Sequence, residues 1–268
     1  MTQKERQFVK EVWEFYERHG RRSLPWRNTK NPYRILVSEI MLQQTQVERV
    51  IPKYNSFVKQ FPSLATLARV SLGDVLIAWQ GLGYNRRAKM LHACVQKIMN
   101  ECGGQFPHTH TELMTLPGIG HYTAGAIMAF AFNDAQSIIE TNIRSVYTHY
   151  FFKNRTAVTD SEILEYVTKT LDREHVRDWY YALMDYGAFL KKEHRGLNSK
   201  SKHYVRQSTF AGSDRQIRGA LIRVLSRKPC TLLSLHKQLD FKDSRITIQL
   251  QKLCTEGMVI KKGRIYAI

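Results

Sequence analysis

Apolar residues recur at helical spacing along most of the chain. Phe8, Val9, Val12, Trp13, Phe15 and Tyr16 put one apolar face on residues 3–20, the pattern of a helix docked on a core. Between Tyr33 and Val50 the apolar positions are 35, 36, 37, 40, 41, 42, 47 and 50, which predicts a helix buried around most of its circumference. One acid, Glu39, falls inside that run. Shorter helical patterns follow over 51–61, 63–68, 72–79 and 88–100. Glycine turns interrupt them at Gly81–Gly83 and Gly103–Gly104, and Thr111 is placed to cap a further helix. Ala124–Phe132 is small and apolar throughout and reads as an internal helix. Two apolar runs, 137–139 and 143–147, flank the polar triplet Glu140, Thr141 and Asn142, and Tyr147–Phe152 reads as a buried aromatic helix end. Asp160 is placed to cap the helix from Ser161, and 176–190 is another core helix.

The period changes only near the end. After helices over 215–226, 231–239 and 243–256, residues 257–268 alternate around a Lys261-Lys262-Gly263-Arg264 turn, as a two-stranded hairpin does. Three helices and a hairpin predict a winged helix–turn–helix over 213–268, preceded by a mainly α region over 1–212 whose last part, 191–212, is a basic linker. Such a module serves DNA contact, packing or protein binding.

At 268 residues and 43% hydrophobic composition, a globular core needs no covalent staples. Lys and Arg outnumber Asp and Glu 41 to 23, a formal +18 that suits a polyanionic partner. Anionic membranes satisfy the same charge, but no stretch approaches the roughly eighteen apolar residues of a spanning helix, and the amino terminus lacks a secretory apolar core. A soluble intracellular protein is expected. Cys94, Cys102, Cys230 and Cys254 form no CxxC pair or finger spacing, and His108 with His110 lacks further ligands, so no metal site is expected.

Within this frame five stretches carry chemistry. Glu39 costs free energy in an apolar helix unless it is paired, hydrogen-bonded or protonated, and a raised pKa suits a general acid. The amides of Gln43 and Gln44 follow it, groups suited to base edges. Arg22, Trp26 and Arg27 form a basic loop around an aromatic that either meets a base and its phosphates or lies in the core. Tyr84, Arg86 and Arg87 again interleave an aromatic with positive charge. Gly118 and Gly120 bend a turn whose free backbone N–H groups, with His121, Tyr122 and Thr123 opening a helix, can seat a phosphate. Glu140 is either a solvated acid at a helix start or a group facing a cleft.

The strings LPWR, PYRILVSEIMLQQTQV, GLGY, LPGIGHYTAGAI and ETNIRSV, in this order over residues 5–190, resemble the helix-hairpin-helix DNA glycosylase superfamily, most of all its adenine-specific mismatch branch. The resemblance implies a two-lobed helical fold with the hairpin at about 113–127, a monomer acting on duplex DNA with a mispaired or damaged base, and no membrane. It implies a cytoplasmic protein of the bacterial nucleoid, or alternatively a nuclear one. It makes Glu39 the general acid, Tyr122 a pocket wall and Asn142 the partner of a catalytic aspartate. It assigns DNA contact to Leu42, Gln43, Gln44, Thr45, Tyr84 and the hairpin groups. Two departures stand out. Glu140 occupies the place of the aspartate, one methylene longer, which displaces the charge by about 1.5 Å. The four cysteines that hold the branch's iron–sulfur cluster are missing after residue 190, so no cofactor is expected. Position 122 holds no Schiff-base lysine, which implies a monofunctional enzyme. Adenine opposite 8-oxoguanine or guanine is the expected target; thymine or uracil opposite guanine, another modified base, and a non-catalytic DNA-binding protein stay open.

Overall fold

The computed structural model describes residues 1–194, 196–202 and 209–268. In chain order the helices are α1 (Gln3–His19), α2 (Pro32–Leu42), α3 (Val47–Gln60), α4 (Leu64–Arg69), α5 (Leu72–Ala78), α6 (Arg86–Glu101), α7 (His110–Met114) and α8 (His121–Phe132). They continue with α9 (Thr141–Phe151), α10 (Asp160–Thr170), α11 (Val176–Glu193), α12 (Asp214–Leu225), α13 (Leu232–Gln238) and α14 (Asp243–Thr255). Three short strands, β1 (Cys230–Thr231), β2 (Ile260–Lys262) and β3 (Ile265–Ala267), lie near the end. The chain forms two compact units, 1–39 with 107–115 and 119–206, and 40–106 with 116–118 and 207–268. The division falls inside α2, between Glu39 and Ile40. No helix among the described residues is long and apolar enough to cross a membrane.

In the first unit α1 starts at a reciprocal capping box, Thr2 with Glu5, and buries Phe8, Val12 and Tyr16. Phe8 meets Tyr147, Phe151 and Trp179 with ring centroids 5.0, 5.1 and 6.1 Å away, so α1, α9 and α11 share an aromatic core. The start of α2 is fixed by Asn31, whose side-chain oxygen accepts from the backbone N–H of Tyr33 and Arg34 at 3.0 and 3.2 Å. Ile35, Leu36, Val37, Ile40 and Met41 are all buried, as the sequence pattern predicts for a helix with no polar face. Two helix starts differ from expectation. Thr109, not Thr111, caps α7 in a box with Glu112, and Thr159, not Asp160, caps α10 in a box with Glu162. A Thr three residues before a Glu satisfies two backbone donors, which outweighs a lone acid.

The second unit packs α3–α6 around Phe57, Phe61 and Trp79 and includes the carboxy-terminal segment. There α12, α13 and α14 enclose Ile217, Leu221, Leu235, Ile246, Leu250 and Leu253. The hairpin β2–β3 turns at Gly263, φ +58°, and gains β1 as a third antiparallel strand in the order β1-β3-β2. This strand is too short to show a period in sequence. Residues 207–268 are tied to 40–106 by Gln80 Nε2 on Ser226 Oγ at 2.7 Å and by Lys89 on the Glu256 carbonyl. At Gly73 an added Cβ would stand 3.0 Å from the Ile268 backbone. The basic linker expected over 191–212 lies partly outside the described residues.

Candidate active site

Glu39 is 7% exposed near the end of α2, surrounded by the apolar side chains that make the helix internal. Burial pushes its carboxyl pKa up to about 7; the hydroxyl of Tyr122, which donates to it, pulls down, and the nearby charge of Glu140 pushes up. Tyr122, in the first turn of α8, is held well above its ordinary pKa by burial and by both glutamates, so it stays a neutral donor. Tyr181 on α11 is pushed up to about 12 by burial, Glu39 adding to the effect, and stacks on Phe130 at 4.6 Å. Glu39 is therefore a carboxyl whose burial favours the protonated form, beside the neutral hydroxyl of Tyr122 and the ring of Tyr181.

Glu140 is the N-cap of α9. Its Oε1 accepts from the backbone N–H of Asn142 and Ile143 at 2.7 and 2.9 Å, and its Oε2 from Asn142 Nδ2 at 3.1 Å. Burial raises its pKa, against the backbone donors, Lys191 on α11 and the Asn142 amide. Three donors converging on two oxygens at a helix start are the partners a carboxylate takes. The cap is pressed into place by α11, because a Cβ at Gly187 would stand 2.2 Å from the Asn142 carbonyl oxygen. Glycine is required there by close approach. The first unit thus joins one protonatable acid and one donor-bound carboxylate, the pair that general acid catalysis with cation stabilisation uses.

The hairpin turn between α7 and α8 bends at Gly118, φ +78°, where an added Cβ would stand 2.7 Å from Met90 Cβ. Gly118, Gly120 and His121 are exposed, and the N-cap of α8, Gly120, supplies no side-chain hydrogen bond to the first-turn N–H groups. Thr123 is 4% exposed and belongs to the core, which corrects its expected DNA contact.

Two further expectations fail for the same reason. Trp26 and the side chain of Arg27 are 5% and 4% exposed, and Arg27 forks onto Asp185 with Nη1 2.7 Å from Oδ2 and Nη2 2.9 Å from Oδ1. Burial alone would raise the Asp185 pKa, but Arg27 and Arg21 more than offset it and hold it below the usual value. That basic loop is an internal ion pair; Arg22, over the Tyr16 ring at 4.7 Å, is its exposed member. In the second unit Arg87 Nη1 donates to the carbonyls of Ile40, Met41 and Gln43 at 2.8, 2.9 and 2.5 Å. Its Nη2 donates to Thr45 Oγ1 and to the carbonyls of Leu82 and Gly83 at 3.0, 3.0 and 3.1 Å. Arg87 therefore closes the end of α2 instead of holding a phosphate, and it takes Thr45 with it. Arg86 is 73% exposed at its side chain, with its Nε 3.9 Å from Glu256 Oε2. Leu42 and Gln43 are half-buried and Gln44 is exposed. Gln43, Gln44 and Tyr84 line one cavity with Arg215 and Arg218.

The residues that sequence reasoning missed are Lys191, Tyr181, Asp185, Arg215 and Arg218. Each looks like an ordinary helix residue until its partner, tens of residues away, is known. Among the described residues no three His, Cys, Asp or Glu side chains converge to hold a metal, and the four cysteines are free thiols. No cysteine follows α11 before Cys230, so the donor set does not fit an iron–sulfur cluster at that place.

Residues 37–172 match the model of the HhH-GPD superfamily of base excision DNA repair proteins, and the chain belongs to that family. Its relatives include the adenine DNA glycosylase of Mycolicibacterium smegmatis, 36% identical over 93% of this chain and 91% of the relative. The adenine DNA glycosylase of Buchnera aphidicola from Baizongia pistaciae is 38% identical over 76% of this chain, which spans 60% of that longer relative. Among solved structures, a thermostable thymine-DNA glycosylase superposes with a TM-score of 0.64 and 26% identity, over 75% of this chain and 96% of its own.

Proposed function

We propose that this protein is a monofunctional adenine DNA glycosylase, hydrolysing the N-glycosidic bond of an adenine turned out of a duplex where it faces 8-oxoguanine or guanine. The observation that carries the reading is the pairing of Glu39, protonatable near neutrality, with Glu140, held by three donors. Adenine is a poor leaving group until it is protonated, and bond breaking leaves positive charge on the sugar. Glu39 supplies the proton, with Tyr122 orienting it. Glu140 stabilises the cationic sugar and directs water to it, a role its cap geometry suits because three donors already converge on its two oxygens. Asn142 orients Glu140. A base reaches these groups only when flipped from the stack. In the first unit Gly120 and His121 hold a backbone phosphate and Arg22 is a further phosphate contact; in the second unit Gly118 lends the turn its bend and Gln43, Gln44, Tyr84 and Arg86 contact the opened duplex.

The absence of a lysine at position 122 supports glycosylase chemistry without strand cleavage, and the missing cysteines support an enzyme that works without a cluster. The protein acts as a monomer in the compartment that holds the chromosome. The sequence relatives favour adenine; the thymine-DNA glycosylase likeness keeps pyrimidine mismatches as the second reading. Single-turnover base release from duplexes with A opposite 8-oxoguanine, A opposite G, T opposite G and U opposite G separates them. Adenine release that vanishes in Glu140→Gln supports the proposal. Release of thymine or uracil alone transfers the protein to the second reading, and silence on all four removes both and leaves another modified base or a non-catalytic DNA-binding protein.

A further inference from the structure

Helices α9 and α11 lie side by side in the first unit, and two contacts fix their register. A Cβ at Gly187 would stand 2.2 Å from the Asn142 carbonyl oxygen, and two turns further along both helices the rings of His194 and His149 stack with centroids 4.7 Å apart. The two helices are therefore parallel. On α11, positions 187, 191 and 194 share one face at spacings of four and three, so Lys191 lies on the face turned to α9. Helix side chains tilt toward the amino-terminal end, which directs the long stem of Lys191 back over the turn of Gly187 toward the start of α9, where Glu140 is the cap. Burial draws the Lys191 pKa down, Glu140 draws it up and Arg21 draws it down. Burial raises the pKa of Glu140, and Lys191 is among the groups that pull it back.

We infer that Lys191 is a positioning residue of the glycosylase site, its ammonium supplying the counter-charge that favours the charged form of the buried Glu140 carboxylate. The inference rests on the reading above, in which Glu140 stabilises the cationic sugar. The three donors on Glu140, two backbone N–H groups and the Asn142 amide, are neutral. They orient the carboxylate, but a buried charge is costly without an opposite charge beside it. Among the described residues the neighbouring ionisable groups are otherwise committed. Glu39 is itself an acid, and Tyr122 is a neutral hydroxyl. Arg21 is closed onto Asp185, Nε to Oδ1 at 2.6 Å, and Arg144 forks onto Asp160, Nε to Oδ1 and Nη2 to Oδ2 both at 2.8 Å. His149, His194, Lys153 and Lys200 gather at the far end of α9. Lys191 is left to face the carboxylate, and it matters to the chemistry because a protonated Glu140 cannot stabilise a cation.

The test is the pH profile of single-turnover adenine release for wild type, Lys191→Met, Lys191→Arg and the exposed neighbour Lys192→Met, all checked for unchanged melting. In Lys191→Met the acid limb, where Glu140 takes up its proton, should move about one pH unit upward, the effect of one lost counter-charge, while the alkaline limb set by Glu39 moves less. Lys191→Arg keeps the charge and should restore the acid limb, and Lys192→Met should leave both limbs in place. A Lys191→Met rate that falls by the same factor at every pH would make the residue merely structural. Weaker DNA binding with a shallower salt dependence and an unmoved acid limb would make it a phosphate contact. Either result overturns the inference. A second measurement needs neither substrate nor a change at Lys191. In Glu39→Gln, the nuclear magnetic resonance shift of the Lys191 ammonium nitrogen should step at the pH where the Glu140 carboxyl carbon titrates, and the step should vanish in Glu39→Gln/Glu140→Gln. The absence of a step overturns the inference. A wild type that releases no adenine while the step is present refutes the adenine reading and not the charge pair.

Discussion

Replacing Glu39 with Gln should stabilise the protein at alkaline pH while abolishing its chemistry. Burial moves the Glu39 pKa from an ordinary 4.5 to about 7, so the folded chain prefers the protonated form more than the unfolded chain does. A group whose folded pKa is raised contributes stability that is full below the unfolded value and is lost as pH rises through the folded one. For Glu39 the window runs from about 4.5 to about 7, and the displacement corresponds to about 3 kcal/mol at roughly 1.4 kcal/mol per pH unit. Gln keeps the shape and has no charge to desolvate. The stability difference between Glu39→Gln and wild type should therefore grow by about 3 kcal/mol between acid and alkaline pH, near pH 4 and near pH 9. Glu140, also raised by burial, is present in both chains, and its charge is one of the causes that raise Glu39, so the difference includes their coupling. Equilibrium urea denaturation across that range measures the difference, and single-turnover adenine release measures the activity. Wild-type release should fall about tenfold per pH unit above 7, where the acid is ionised, and the variant should release nothing. Parallel stability curves for the two chains would refute the reasoning, because they would mean that Glu39 does not change its proton affinity on folding.

Glu140→Gln should slow base release about 10²- to 10³-fold with little change in melting, since the amide oxygen still caps α9, whereas Glu140→Asp should keep charge and cap and stay within about tenfold of wild type. Single-turnover rates and thermal melts check both. Arg87→Ala removes the donors of six backbone and side-chain acceptors and should cost about 3 kcal/mol or more in urea denaturation; Arg86→Ala should leave stability unchanged and lower the salt slope of DNA binding by about one. Gly187→Ala places a methyl against the Asn142 carbonyl; it should destabilise by about 1–3 kcal/mol and reduce single-turnover release by displacing Glu140, without weakening DNA binding in a titration.

The helices, the glycine hairpin and the terminal wing were legible in the order of residues, because a helical period and a turn's chemistry are written within a few neighbouring positions. So was Glu39 as an acid in an apolar helix, and Glu140 as an acid at a helix start. Burial was not legible for the basic loops. Arg27 and Arg87 read as positive charges near an aromatic, like Arg22 and Arg86, yet two of the four are enclosed and engaged with Asp185 or the end of α2. Thr123 and Trp26 read as contact residues and lie in the core. An arginine has the same identity whether its partner is a phosphate or a carbonyl. Which it meets depends on residues that folding brings together across 158 positions for Arg27 and Asp185, or 131 for Arg215 and Tyr84. The proton on Glu39 has the same origin: composition supplied a carboxyl, and the apolar surroundings assembled by α2, α8 and α11 removed the water that would have kept it ionised.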